Sequence, residues 1–295
     1  MSIMRIIVAD NMEEEALDEL RAVGEVIFKP ENLENAIVDA DVLVVRSATK
    51  VTKELIARAK KLKIVARAGI GLDNVDQAAC KERGIKVVNT PGASSNAVAE
   101  FALGLIIASL RNVQKAHYQM KNKKWEKKQL TGREIEGKTL GIIGYGRIGA
   151  LLAKKAKALG MDVVACDPQA KEDSQVIFLK LDELFQKADV ISIHAPLVDA
   201  TKNLINKENI AKMKDGVCIV NTARGQIIDE NALYEACKSG KILGAAIDVY
   251  WEEPYHGKLL ELDNVYFTPH LGGSTKEAQI KIGKEIALIL QSQLQ

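Results

Sequence analysis

The chain is patterned as short apolar runs that alternate with segments in which apolar residues recur every three or four positions. The runs at Arg5–Ala9, Glu25–Phe28, Val42–Val45, Ile64–Ala68 and Lys86–Val88 have the length of buried strands. Between them, Glu13–Val23, Glu31–Ala40, Lys53–Lys61 and Asn74–Arg83 carry helical spacing. A second series of runs follows at Thr139–Ile143, Asp162–Cys166, Val176–Leu179, Val190–His194, Val217–Val220, Ile242–Ile247 and Val265–Phe267. Strands that alternate with helices imply parallel pairing through right-handed crossovers. The pattern therefore predicts an α/β protein with two doubly wound parallel sheets.

Two helices stand outside this alternation. One long apolar helix is predicted from about Asn96 to Asn122, where the first series ends. The other, Ser274 to Gln293, follows the last strand and has no place in a finished second sheet. It is predicted to cross back to the first lobe. The expected domains are thus 1–96 plus 274–295, and 97–273, with two connections and a cleft whose closure would exclude water.

Composition removes several classes of function. The 295 residues include 41 basic and 39 acidic side chains, a formal net charge of +2, so no nucleic-acid footprint is expected. Cys80, Cys166, Cys218 and Cys237 are scattered without CxxC or cysteine–histidine spacing. No metal site is expected, and reduced thiols in a cytoplasmic protein are. The first ten residues run straight into a strand, which leaves no room for a signal peptide. The longest apolar stretch, Ala97 to Leu110, contains Glu100 and is too short to span a bilayer.

The candidate chemistry lies in the second half. Gly144-Tyr-Gly146-Arg147-Ile148-Gly149 follows one predicted strand and opens a helix, and the next strand ends at Asp167. That order is a dinucleotide-binding unit: tight turn, close backbone approach, close helix packing, and helix-start amides on the pyrophosphate. Asp167 can accept hydrogen bonds from a ribose, and the only nearby cation, Lys171, reads as solvated surface. NAD is therefore expected over NADP. Arg224, just past a buried strand and before Gly225, suits a carboxylate clamp. Asp248 ends a strand and is placed to meet a nicotinamide amide, and Glu253, before Pro254, is a candidate partner for a histidine. Of the four histidines, His117 lies on the long helix and His194 has no carboxylate near it in sequence. His256 is the rival to His270, which follows Pro269 and precedes Gly272 and Gly273, two glycines that leave space for a ligand. His270 is the candidate acid/base.

Together these motifs, with Asn221-Thr-Ala-Arg-Gly225 and Thr268-Pro-His-Leu-Gly-Gly-Ser-Thr275, resemble the NAD-dependent D-2-hydroxyacid dehydrogenases along nearly the whole chain. The resemblance implies a Rossmann-type cofactor domain inserted in a flavodoxin-like substrate domain. Val44-Val-Arg-Ser-Ala-Thr-Lys-Val-Thr52 and Ala66-Arg-Ala-Gly-Ile-Gly-Leu-Asp-Asn-Val-Asp76 are most like the branch that oxidises D-3-phosphoglycerate, a small phosphorylated 2-hydroxy acid. His270 would then be the acid/base, Glu253 its partner, and Arg224 the substrate-carboxylate ligand. Cofactor contacts would include Ala195, Thr222, Ala223, Asp248, Gly272 and Gly273. Arg46, Ser47 and Arg67 would face the substrate phosphate, and amides at Ala68, Gly69 and Ile70 the carboxylate. A homodimer through the helix and arm at 97–131 would bring the neighbour's Lys127 near the phosphate. The serine-sensing domain of longer relatives is expected to be missing after Gln295. The alternatives are a glyoxylate or hydroxypyruvate reductase of the same family and an NADH-sensing corepressor-like scaffold.

Overall fold

A computed structural model describes residues 3–169, 173–174 and 176–293; Lys171 lies outside them. The first half holds β1 (Arg5–Val8), α1 (Glu14–Arg21), β2 (Glu25–Phe28), α2 (Leu33–Ala36), β3 (Val42–Val45), α3 (Lys53–Arg58), β4 (Ile64–Arg67), α4 (Gln77–Glu82), β5 (Lys86–Asn89), α5 (Ser95–Leu110) and α6 (Val113–Lys121). Then come β6 (Thr139–Ile143), α7 (Arg147–Ala158), β7 (Asp162–Cys166), β8 (Ile177–Phe178), α8 (Leu181–Lys187), β9 (Val190–Ile193) and α9 (Lys207–Lys212). The chain closes with β10 (Val217–Asn221), α10 (Glu230–Ser239), β11 (Ile242–Ile247), β12 (Val265–Phe267) and α11 (Lys276–Ser292). It divides into two compact units, Met1–Ala97 with Gly273–Gln295, and Val98–Gly272.

Both sheets are wholly parallel among the described residues. The first unit has the order β2-β1-β3-β4-β5, that of a flavodoxin-like sheet. The second has β12-β11-β10-β9-β6-β7-β8, a Rossmann order with one strand added. Helices cover both faces of such sheets, so central strands are apolar on both sides. Every residue of β3 and β9 is buried, and β3 reads as an unbroken apolar run. Helix starts are set locally. Thr52, Asp76, Asn206, Asp229 and Thr275 each accept the amide three residues on.

The long helix predicted from Asn96 to Asn122 is in fact two, α5 and α6, bent by 65°. Asn112 adopts a left-handed conformation with φ of 53°, which asparagine tolerates better than most residues. The Leu110 carbonyl, freed from the helix, accepts the Arg133 amide at 2.9 Å. Among the described residues no single helix is long and apolar enough to cross a membrane.

The last helix packs in the first unit. Ile282, Ile286, Ala287 and Leu290 of α11 share a core with Ile6 and Val8 of β1, Val42 and Val44 of β3, and Leu17 and Leu20 of α1. Because Ile286 and Leu290 are fully buried, each contributes roughly 1.5–3 kcal/mol through burial of apolar surface. We expect Ile286→Ala to destabilise the protein by about 2–4 kcal/mol, read as a lower urea midpoint by circular dichroism. A loss below about 1 kcal/mol would show that α11 is dispensable to this core.

Candidate active site

Ligands of open α/β sheets bind at the carboxyl ends of the strands, where the strand order reverses. In the second unit that point lies between β6 and β9, paired in parallel. Gly144 follows β6 with φ of +91°, and a Cβ there would lie 2.6 Å from the Ala195 nitrogen, just past β9. A Cβ at Gly149 would lie 2.4 Å from the Gly144 carbonyl oxygen, so the third glycine lets α7 press on the turn. Gly146 differs, since a Cβ there meets nothing of the protein within 4 Å. It caps α7 with no side-chain acceptor, so the first-turn amides of Arg147, Ile148 and Gly149 suit a phosphate.

Asp167 sits past β7. Its Oδ2 accepts the Tyr145 amide at 2.7 Å and its Oδ1 the Gln169 amide at 2.8 Å. Each oxygen keeps a lone pair for a ribose hydroxyl. Thr222 follows β10, and its buried hydroxyl has no hydrogen-bond partner among the described residues. The next turn is tied by Asn221, a fully buried side chain that accepts the Ala223 amide at 3.0 Å and donates to the Arg224 carbonyl at 2.9 Å. Asn221 closes β10 and was legible only as part of a motif. These features fit a dinucleotide: two glycines required by protein contacts, one required by none, and polar atoms left open beside them.

The third group sits past β11 and β12. The His270 Nδ1 lies 3.0 and 3.1 Å from the two Glu253 oxygens. Both side chains are about a third exposed, at 34% and 39%, so the pair faces solvent with Nε2 on the far side of the ring. Burial on its own raises the Glu253 carboxyl. The His270 hydrogen bond and charge, the Tyr250 amide and the Arg224 charge outweigh it and leave the group below its usual value. His256 is exposed, and Glu253 pairs with His270 instead. His194 is half-buried, bonded through Nε2 to the Ser192 hydroxyl at 2.8 Å, and desolvation pushes it down to about 4. It stays neutral. His117 lies exposed on α6.

Asp248, expected to meet the nicotinamide, is 1% exposed and holds three donors. The Thr268 hydroxyl and Leu271 amide donate to Oδ1 at 2.6 and 2.7 Å, and the Gly272 amide to Oδ2 at 2.8 Å. Burial raises the carboxyl against the pull of those donors. Asp248 therefore clamps the 268–272 turn that carries His270, itself in a left-handed conformation with φ of 56°. In the first unit, the Ala68 and Gly69 amides were expected to meet a carboxylate. In this structure they donate to the Val45 and Arg67 carbonyls at 2.8 and 2.9 Å. The Ile70 carbonyl accepts the Asn89 side chain at 2.6 Å.

The remaining candidates of the first unit cluster at its own strand ends. Val45 and Arg67 are register partners in β3 and β4, so Arg46 and Arg67 stand at the carboxyl ends of neighbouring strands. Asp10, past β1, was missed from sequence. It accepts the Arg46 and Thr49 amides and the Thr49 hydroxyl, while the Asn74 side chain donates to the Arg46 and Thr49 carbonyls at 2.6 Å each. The Arg46 guanidinium reaches the Asn11 carbonyl at 3.1 Å and the Ser274 hydroxyl at 3.5 Å. Burial lowers its pKa, opposed by Asp10 and Glu13. Ser47 is exposed beside it. Gly273 lies against Ser94, and Lys127 is exposed in a short turn after α6.

Fold and site thus define a dinucleotide-binding oxidoreductase with a histidine–carboxylate pair. Residues 103–272 match the D-isomer specific 2-hydroxyacid dehydrogenase NAD-binding domain, and the chain belongs to that family. It is an NAD-dependent D-2-hydroxyacid dehydrogenase. It is 52% identical to hydroxypyruvate reductase of Thermotoga maritima, over 97% of each chain. It is 49% identical to D-3-phosphoglycerate dehydrogenase of Methanocaldococcus jannaschii, covering 96% of this chain but 56% of that protein. The chain spans little more than half the length of the phosphoglycerate dehydrogenases it matches. The crystal structure of D-lactate dehydrogenase from Aquifex aeolicus, complexed with NAD and lactic acid, superposes with a TM-score of 0.86 at 30% identity, over 98% of this chain and 95% of that one.

Gly144→Ala puts a methyl group into the β6–β9 contact and strains a positive φ. We expect NADH binding, followed by fluorescence titration, to weaken at least about tenfold, the equivalent of 1.4 kcal/mol. Unchanged affinity would place the cofactor elsewhere.

Proposed function

We propose that the protein oxidises D-3-phosphoglycerate to 3-phosphohydroxypyruvate with NAD, the entry step of serine biosynthesis. The observation that carries this reading is the emergence of Arg46 and Arg67 at adjoining strand ends of the first unit. Two guanidinium groups at neighbouring strand ends suit a phosphate dianion, and an uncharged hydroxymethyl tail offers them a single neutral acceptor. Ser47 would add a hydroxyl donor, while the amides at Ala68, Gly69 and Ile70 would face the substrate carboxylate. A second reading, reduction of hydroxypyruvate, is favoured by the full-length match to a hydroxypyruvate reductase.

The chemistry would be common to both readings. NAD, when bound, would supply the hydride acceptor for oxidation of the hydroxyl carbon, and NADH the donor for the reverse reduction. Gly144, Gly146, Gly149, Arg147, Ile148 and Asp167 would hold it, with Ala195, Thr222, Ala223 and Gly272 lining the remainder. Arg224 would bind the substrate carboxylate through two parallel hydrogen bonds. The His270 Nε2 would take the hydroxyl proton, while Nδ1 donates to Glu253. The Glu253 carboxyl lies below its ordinary value in the folded protein, so it stays ionised at assay pH. Its pairing contributes stability above the unfolded value and loses it as pH falls through the folded one. We further propose a cytoplasmic homodimer through the 97–131 region, with Lys127 offered to the neighbouring subunit.

Steady-state kinetics with 3-phosphoglycerate and D-glycerate separate the substrate readings. We expect kcat/KM to favour the phosphorylated acid. Arg46→Ala should raise its KM by about tenfold or more, as loss of a charged hydrogen bond of ~1.5–3 kcal/mol would, with NADH affinity unchanged. Equal kcat/KM for the two acids would defeat the phosphate assignment and leave the reductase reading.

The base is tested separately. His270→Ala should lower kcat by about 10²–10⁴-fold, the usual worth of general acid–base catalysis. Glu253→Gln keeps the side chain's size and weakens its hydrogen bond to Nδ1, so kcat for oxidation should fall about tenfold or more. An unchanged kcat would remove Glu253 from its role.

A further inference from the structure

We propose that Tyr250 is the positioning residue that keeps the Arg224, Glu253 and His270 segments in register, with its phenol hydroxyl fixing the turn that bears His270. The inference rests on the roles proposed above for those three side chains. Tyr250 follows Asp248 by two residues and is 8% exposed within the apolar core beneath β10 and β11. A phenylalanine would serve that core, and a buried hydroxyl needs a partner. Its partners are the Thr268 carbonyl at 2.8 Å and the Ile247 carbonyl at 3.0 Å, between which it shares its single proton.

The Thr268 carbonyl is the anchor of the proposed base. It also accepts the amide of His270 at 2.9 Å, closing a turn centred on Pro269 in which His270 holds its φ of 56°. A non-glycine residue keeps that conformation only where its surroundings over-determine it. The Tyr250 hydroxyl supplies one such restraint from below, and Asp248 supplies another from the side. Burial pushes the hydroxyl up to about 12, so it keeps its proton throughout the assay range.

The same residue touches the other two segments through its backbone. Its amide donates to the Glu253 Oε1 at 3.3 Å. A Cβ on Gly225 would fall 2.1 Å from its carbonyl carbon, so the glycine lets the Arg224 turn lie directly on Tyr250. Its ring is fixed independently of the hydroxyl, stacked at 4.8 Å on Tyr255, whose own hydroxyl donates to Glu230 at 2.6 Å. Hydroxyl and ring are therefore separable by one substitution.

Tyr250→Phe in the full chain is the test. We expect kcat/KM for oxidation of the preferred hydroxy acid to fall about tenfold, as for a small misplacement of a reacting group. The loss should fall on kcat rather than on KM, with NADH affinity and the thermal midpoint unchanged. In a Glu253→Gln background the same substitution should cost little more, because both act through one pair. A wild-type kcat and kcat/KM for Tyr250→Phe would overturn the proposal. So would losses of NADH affinity and thermal midpoint that match the kinetic loss, which mark a merely structural role. If His270→Ala itself retains turnover, the reading of the three side chains falls first; if it is inactive and Tyr250→Phe is normal, only the positioning role falls.

Discussion

The charged hydrogen bond between Glu253 and the Nδ1 of His270 is the constraint around which the second unit is arranged. The two residues come from separate loops, past β11 and past β12, and neither loop is short enough to be fixed by its ends alone. A pairing distance of 3.0 Å therefore requires that both loops be tied to something rigid. Asp248 supplies the tie at the end of β11. Burying its charge is costly without partners, and two amides with one hydroxyl offset that cost while gathering residues 268 to 272. A carboxylate that reads as a ligand contact in the sequence thus acts as an internal clamp.

The same economy of construction recurs in the first unit. Asp10 and Asn74 saturate the backbone of the loop after β3, which leaves the Arg46 side chain directed by a fixed main chain. In each unit an aspartate at a strand end orders the loops, Asp248 past β11 and Asp10 past β1. That placement follows from the parallel topology itself, because helices occupy both faces and only the strand ends remain open. Loops positioned by a rigid sheet carry the chemistry, and the sheet is held by apolar packing such as that of α11 against β1 and β3.

Much of this was legible beforehand, for identifiable reasons. All twelve strands lie within or beside the apolar runs, because strands packed by helices on both faces are mostly apolar. The glycine fingerprint could be read because two of its three glycines are sterically compelled. The break between α5 and α6 was not legible: the apolar spacing continues through Asn112, and only its left-handed backbone ends the helix. The engagement of the Ala68 and Gly69 amides escaped for a related reason. Backbone donors leave no mark in a sequence, and the bonds to Val45 and Arg67 are tertiary facts. The pairing of Glu253 with His270 rather than His256 likewise depends on which loop β12 delivers beside β11.

The most direct test of the account observes the ring of His270. With ¹⁵N-histidine-labelled holoenzyme, the Nδ1 proton of His270 should give a strongly downfield signal, coupled to a nitrogen distinct from the exposed Nε2. That signal should be lost in Glu253→Gln. A signal that persists unchanged in the variant, or a proton found only on Nε2 in the parent protein, would contradict the pairing on which the site is built.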